Sequence, residues 1–124
     1  MPIVAMQIMT GYSAAQKTAL LKTSSQAIVD SIAAPLASVR ITLQEIEPAH
    51  VIVAGEIGHP MARADVKLIT GRTEVLKDAL FAALNGAICE SLGIAGDDVR
   101  IIVTDVPKTD MGVANGVSAK AAGR

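Results

Sequence analysis

The chain has 124 residues and a formal net charge of −1, and 51% of its residues are hydrophobic while only 2% are aromatic. Its lysines and arginines are dispersed and form no basic stripe, which argues against nucleic-acid binding. No apolar run approaches the ~18 residues of a membrane-spanning helix, and no signal-peptide pattern leads the chain. The single cysteine fits a reducing compartment. We therefore expect a cytoplasmic protein that binds neither membranes nor nucleic acid.

The first part of the chain predicts a strand, a helix and a second strand. Residues 2–9 form a short apolar run that is typical of a strand covered on both faces. Ser13, with Gln16 three residues later, predicts the start of a helix that extends to about residue 33. Residues 38–44 again have strand character. Together these segments predict a β-α-β unit with parallel strands.

The sequence then repeats itself. A shift of 60 residues superposes residues 2–60 on residues 62–120 without a gap and gives 13 identical positions, where composition alone would give roughly four. The identities fall at Thr10, Gly11, Lys17, Ala19, Leu20, Ala27, Ile28, Ser31, Val39, Arg40, Ile41, Val53 and Ala54. We interpret residues 1–124 as a single domain built of two β-α-β repeats.

The second repeat has the clearer helix. Four leucines, one alanine and one isoleucine recur at spacings of three and four between residues 76 and 92, after a capping Thr73 and before a terminating Gly93. Two such units predict an α/β (α+β) fold, in which both helices cover one face of a four-stranded mixed sheet. The other sheet face is expected to be apolar and bare. Covering that face with further copies of the chain is a physical reason to expect an oligomer.

Two stretches carry weaker patterns. Residues 47–60 are loop-like, and their apolar segment 51–53 is able to pair as the edge of a hairpin. Residues 117–124 are small and polar, which predicts a short tail that is loose in solution.

The second residue has special chemistry. A small residue at position 2 favours removal of Met1, which leaves the ring nitrogen of Pro2 as a free secondary amine. The pKa of an α-amino group is near ~8, and burial beside cationic groups lowers it towards neutrality. An amine with such a pKa is able to take a proton from one atom and return it to another, which is general acid–base catalysis.

The residues also resemble a known family. The first repeat resembles the 4-oxalocrotonate tautomerase group of the tautomerase superfamily in its leading proline, in Gly11 and in the run Ala-Pro-Leu-Ala-Ser-Val-Arg at 34–40. The second repeat resembles the same group through residues 68–73 and 98–104. Because the family's short subunit assembles as a hexamer, a fusion of two repeats implies a homotrimer. The resemblance also implies an isomerase that moves a proton within an unsaturated 2-oxo or 2-hydroxy acid such as 2-hydroxymuconate.

The resemblance places the family's functional residues unevenly on the two repeats. Pro2 matches the catalytic proline, whereas the second repeat has Ala62 at that position. The arginine that follows the glycine is present in the second repeat as Arg72, and Tyr12 replaces it in the first. One site assembled from both repeats is therefore implied, which gives three sites in a trimer.

Two further positions of the family's site are either duplicated or replaced in this chain. The strand arginine is present twice, as Arg40 and Arg100. The pocket aromatic of the family is replaced by Val51 in one repeat and Met111 in the other. The implied catalytic residues are Pro2, Arg40 and Arg72, with Tyr12, Val51 and Arg100 as further candidates for binding substrate.

The implied reaction is a proton transfer that uses no metal and no organic cofactor. Neutral Pro2 takes a proton from a hydroxyl or an acidified carbon, and Arg72 binds a carboxylate of the small anionic substrate. Arg40 polarises the 2-oxo group as negative charge develops. His50 and His59 are nine residues apart without a cysteine or carboxylate cluster, so a metal site is not expected.

Other activities of the superfamily are alternatives. Similar sites hydrate or dehalogenate 3-haloacrylates or decarboxylate a semialdehyde, and the dehalogenase pattern has an additional arginine where this chain has Ile69. A non-catalytic β-α-β-β-α-β module that binds a ligand or serves in assembly is a second alternative, because function does not follow from fold.

Overall fold

The computed structural model describes every residue from Met1 to Arg124. Each repeat contains a strand, a long helix and a second strand, and a small hairpin connects the two repeats. The elements are β1 Ile3–Met9, α1 Ala14–Ile32, β2 Arg40–Ile46, β3 Ile52–Val53, β4 Glu56–Ile57, β5 Ala62–Ile69, α2 Glu74–Leu92 and β6 Val99–Val106. The predicted order of elements is confirmed. The second strand starts at Arg40 and not at residue 38, because Leu36–Ser38 form a 3-10 turn.

The helix ends follow local hydrogen bonding. The Ser13 side chain accepts a hydrogen bond from the Gln16 backbone N–H at 3.1 Å, and the Gln16 side chain accepts one from the Ser13 N–H at 3.0 Å. Thr73 caps α2 in the same way, accepting from the Leu76 N–H at 3.3 Å. The helices end in left-handed residues, Ala33 at φ 53° and Gly93 at φ 68°. Glycine adopts this conformation without steric cost and alanine does not, so the end of α1 is the more strained one.

The sheet shows how the two repeats are related. Its strand order is β2-β1-β5-β6, with parallel pairs within each repeat and an antiparallel pair, β1 with β5, at the centre. A local two-fold axis between β1 and β5 therefore relates the two repeats. The parallel pairing puts the start of β1 beside the start of β2, where Ile3 pairs with Arg40.

Both helices cover the same face of the sheet, as predicted. The core consists of apolar side chains from alternate strand positions and from the inner faces of α1 and α2. Its fully buried members are Val4, Met6, Ile8, Leu20, Ile28, Ala64, Val66, Leu68, Leu80, Leu84 and Ile88. Neither helix is long and apolar enough to cross a membrane.

The opposite sheet face is mixed, and the prediction that it is apolar is wrong. The alternating pattern of the central strands turns polar residues outwards. Gln7 donates a hydrogen bond to Gln44 at 3.1 Å, and the Arg63 Nε lies 3.2 Å from an Asp65 carboxylate oxygen. Ile102 is the most exposed large apolar residue of this face, at 48%. The face therefore offers polar and charged contacts together with small apolar patches.

The connecting hairpin and the C-terminal residues are ordered by backbone hydrogen bonds. Strands β3 and β4 pair through a two-residue turn in which Ala54 and Gly55 both have positive φ. Residues 117–124 differ from the loose tail that composition predicts, because Ala119 is fully buried and its N–H donates to the Met111 carbonyl at 2.8 Å. This segment packs beside the N-terminal residue.

Candidate functional site

The N-terminal residues lie at the junction of the two repeats. Pro2 is fully buried just before β1, and its carbonyl accepts a hydrogen bond from the Arg40 backbone N–H at 3.1 Å. Met1 is half-buried and packs against the apolar cluster of Ile69, Met111 and Ala119. The start of the first repeat therefore contacts residues that the second repeat supplies.

Two hollows border Met1. We name the larger one, with a volume of about 500 Å³, the Arg72 hollow. Its lining residues are Met1, Pro35, Ser38, Ile69, Thr70, Arg72, Lys108 and Arg124. Three of them are cationic, and none is an aspartate or glutamate. Such a lining favours an anionic ligand.

The second hollow, named here the Arg40 hollow, has a volume of about 440 Å³. Its lining residues are Met1, Ile3, Ala37, Ser38, Arg40, Gly112, Val113, Ala114 and Arg124. Met1, Ser38 and Arg124 line both hollows. The N-terminus therefore lies between a space that contains Arg72 and one that contains Arg40.

The surroundings alter the basicity of the amino group. Partial burial lowers the pKa of the Met1 amino group below its ordinary value, and the nearby positive charges of Arg72 and Arg124 lower it further. Each of these causes disfavours the protonated form. While Met1 is attached, the nitrogen of Pro2 is part of an amide and has no basicity.

The structure brings three of the predicted residues together. Pro2, Arg40 and Arg72 lie at the same end of the sheet, at or one residue from the walls of the two hollows. Each arginine comes from a different repeat. One composite site drawn from both repeats stays a prediction.

The three further candidates lie away from these hollows. Tyr12 packs against the main core, and burial raises the pKa of its hydroxyl. Arg100 donates hydrogen bonds from Nη1 to the carbonyls of Asp97 at 2.7 Å and Val99 at 2.9 Å. Val51 is buried, and its N–H donates to the Pro48 carbonyl at 3.2 Å.

Arg100 lines a separate hollow at the start of the second repeat, which the local two-fold relates to the start of the first. This smaller space, of about 160 Å³, is lined by Val53, Met61, Ala62, Arg63, Asp97, Asp98 and Arg100. It corresponds to the N-terminal end of the first repeat, but it has alanine in place of proline and contains two aspartates. The two ends of the molecule are chemically different.

Sequence reasoning named Met111 only as the replacement of a pocket aromatic, and it did not name Lys108 or Arg124. The 60-residue shift makes Met111 the counterpart of Val51. Under the local two-fold, the second repeat's residue lies beside the start of the first repeat, and the shift therefore could have placed Met111 near Met1. No repeat signal exists for Arg124, since the equivalent position, Ala64, already belongs to β5.

Histidine and carboxylate side chains form no metal site. No group of three or more His, Cys, Asp and Glu side chains is arranged to hold a metal ion. His59 instead contacts two carboxylates, with Nε2 2.7 Å from Asp98 and Nδ1 3.1 Å from Glu56. Both contacts attach the hairpin to the 3-10 turn Gly96–Asp98 and raise the pKa of His59.

Comparisons with known proteins agree with this architecture. The tautomerase enzyme family matches the chain twice, at residues 2–59 and 64–121. The 2-hydroxymuconate tautomerase of Pseudomonas putida is 41% identical over 64 residues, which cover 52% of this chain and 100% of that enzyme.

Two solved structures are similar over the whole chain. A fused 4-OT described as a wild-type symmetric trimer is 60% identical with a TM-score of 0.96, and the alignment covers 98% of this chain and 99% of that one. A fused 4-OT described as a wild-type asymmetric trimer is 33% identical with a TM-score of 0.93 over the same shares of the two chains. The chain belongs to the tautomerase enzyme family, as two tautomerase segments joined in one polypeptide.

Proposed function

We propose that this tautomerase isomerises an unsaturated 2-oxo or 2-hydroxy acid such as 2-hydroxymuconate, and that the amine of Pro2 transfers the proton after Met1 has been removed. The observation that carries the proposal is the position of the N-terminus between the Arg72 and Arg40 hollows. The similarity to 2-hydroxymuconate tautomerases supports the choice of substrate class.

The proposed reaction is a proton shift in which the substrate atoms balance. Neutral Pro2 accepts the proton of the 2-hydroxyl group, and the electron pair moves through the conjugated system as the 2-oxo group forms. The protonated amine then returns the proton to a carbon further along the chain. A pKa near the working pH serves both steps, and the burial and positive charge at this N-terminus lower an amine pKa in that direction.

The two arginines have separate tasks. Arg72 binds a substrate carboxylate, for which the planar guanidinium is suited because it donates two parallel hydrogen bonds. Arg40, in the neighbouring hollow, stabilises the negative charge that develops on the 2-oxo end. Ala62, inside the chain, provides no free amine at the opposite end of the molecule. Each chain therefore supplies one catalytic amine, that of Pro2.

The functional form proposed is a homotrimer with three sites. Two similar fused 4-OT structures are described as trimers, one symmetric and one asymmetric. The mixed sheet face of this chain, with Gln7, Arg63, Asp65 and Ile102, offers a surface for such contacts. Sedimentation of the purified protein should give three times the 12.7 kDa chain mass.

The decisive experiment compares the processed protein with a Pro2→Ala variant. Intact mass first shows that Met1 is absent from both samples, and initial rates with 2-hydroxymuconate are then measured. We expect Pro2→Ala to lower kcat/KM by about 100-fold or more, the range of general acid–base catalysis. Lys22→Gln is the matched control, because Lys22 is an exposed residue of α1 that lines neither hollow.

Two outcomes would contradict the proposal. Equal rates for Pro2→Ala and the parent protein would point to a non-catalytic role for the proline. Turnover of 3-chloroacrylate but not of 2-hydroxymuconate, measured side by side, would favour the hydratase and dehalogenase alternative.

A further inference from the structure

The peptide bond between Met1 and Pro2 is partly enclosed by the folded chain. Met1 is half-buried and packs against three buried residues of the second repeat, which are Ile69, Met111 and Ala119. Pro2 is fully buried, and its carbonyl accepts the hydrogen bond from the Arg40 N–H at 3.1 Å. The bond whose hydrolysis would free the amine of Pro2 therefore lies between a half-buried residue and a fully buried one.

The residues that cover Met1 are synthesised long after it. All three belong to the second repeat, and Met111 and Ala119 lie close to the end of the chain. The Ala119 N–H donates to the Met111 carbonyl at 2.8 Å, so these two parts of the cover are held together. At a synthesis rate of about 5–20 residues per second, the second repeat takes about 3–12 s to make. During that interval the N-terminus of the growing chain lacks this cover.

An aminopeptidase acts on an accessible chain end, because the terminal residue and the next one have to enter the active site of the enzyme. Cleavage of an enclosed segment is therefore limited to the fraction of molecules in which that segment is locally open. In this chain, opening separates Met1 from its apolar neighbours and breaks the hydrogen bond between Arg40 and Pro2. Both losses make the open form rare in the folded protein.

We propose that Met1 is removed while the chain is being made, before the second repeat folds over it, and that a folded chain that still has Met1 retains it. In the removal step, water adds across the Met1–Pro2 peptide bond and gives free methionine and the secondary amine of Pro2. The order of folding and processing therefore decides which N-terminus the molecule has. This inference concerns maturation of the chain, and its importance for activity rests on the proposed function.

An order-of-addition experiment in a reconstituted translation system tests the inference. Deformylase is present throughout, and methionine aminopeptidase is either present from the start or added after synthesis has been stopped. Intact mass then reports whether Met1 is attached. We expect Met1 to be absent after early addition and present after late addition. A synthetic peptide of residues 1–10, added with the late enzyme, should lose its methionine about 100-fold or more faster than the folded chain.

A matched pair of variants tests whether the cover is the cause. Met111→Ala removes a buried side chain beside Met1 and should speed late removal of Met1 about tenfold or more. Val99→Ala is the control, because Val99 is 7% exposed where Met111 is 6% exposed, and it pairs with Ala62 at the opposite end of the molecule. Its late removal rate should stay within about twofold of the parent rate. Circular dichroism establishes that both variants are folded.

The outcomes distinguish this inference from the proposed function. Equal removal of Met1 after early and late addition would overturn the inference, and so would equal late rates in Met111→Ala and Val99→Ala. A chain that keeps Met1 after late addition, and whose early-processed form does not isomerise 2-hydroxymuconate, would support the inference and contradict the proposed function.

Discussion

Met1 and Arg72 line one hollow, although the two residues belong to different repeats. The positive charge of Arg72 lowers the pKa of that amino group, in addition to the effect of burial. Under the proposed function, removal of Met1 leaves the amine of Pro2 as the new N-terminus, one residue further along the chain. The second repeat thus supplies a positive charge that lowers the pKa of the amino group at the start of the first repeat.

Replacing this arginine should change both the rate and its pH dependence. We expect Arg72→Gln to lower kcat/KM for 2-hydroxymuconate about 10- to 100-fold, from the ~1.5–3 kcal/mol of a hydrogen bond to a charged group. Because a cation lowers an amine pKa, its removal should raise that pKa and move the acidic limb of the pH–rate profile to higher pH. Initial rates across a pH series test both effects. An unshifted limb in Arg72→Gln would separate Arg72 from the basicity of the amine.

The contacts of His59 predict a pH-dependent contribution to stability. Asp98 and Glu56 raise the pKa of His59 above its ordinary value of 6.5. A group whose pKa is raised on folding adds stability that is fully present below its unfolded pKa and is lost as pH rises through its folded pKa. Urea unfolding of the parent protein and His59→Gln, measured from pH 5 to about pH 9, should therefore differ most at the acidic end. His50→Gln is the control, and a constant difference across this range for His59→Gln would contradict the prediction.

The two helix ends predict opposite effects of an exchange between glycine and alanine. Ala33 and Gly93 are 60 positions apart and both left-handed. Ala33→Gly should raise the free energy of unfolding by a few tenths to about 1 kcal/mol, and Gly93→Ala should lower it by about 1 kcal/mol. No neighbouring atom lies within 4 Å of a Cβ placed at Gly93, so backbone strain alone sets its cost. Chemical denaturation measures both values, and effects of equal sign would contradict the explanation.

A buried hydroxyl in α1 predicts a stabilising substitution. Ser24 is fully buried, and its Oγ has no hydrogen-bond partner. Since an unsatisfied buried polar group costs about 1–3 kcal/mol, Ser24→Ala should raise the free energy of unfolding by about 1 kcal/mol. Ser91 is the matched case, because its hydroxyl lies 3.0 Å from that of Thr23, and Ser91→Ala should be destabilising. A loss of stability in Ser24→Ala would show that the hydroxyl has a partner in solution.

Much of the fold was predictable because the signals are local. The capping residues Ser13 and Thr73 start helices at the expected places, and the 60-residue identity defines the two repeats. The mixed sheet face was not predictable from the overall composition. It depends on which of two alternating strand positions faces the helices, and Arg63, Asp65 and Lys67 all face the other way.

The site was only partly predictable, since its walls come from distant segments. Pro2, Arg40 and Arg72 were identified from the family resemblance, and the structure places them at one end of the sheet. The positions of Lys108 and Arg124 follow from tertiary packing after β6, which no repeat or motif encodes. Composition predicts a loose tail at residues 117–124, because small and polar residues do not reveal that one of them, Ala119, is fully buried.

The covalent link between the repeats has an evolutionary consequence. In an assembly of identical short subunits, one codon change appears at every equivalent place simultaneously. Here a mutation at codon 12 leaves codon 72 untouched, and Tyr12 and Arg72 have diverged accordingly. The two ends of one molecule are therefore able to change in sequence independently of each other, as an assembly of identical short subunits is not.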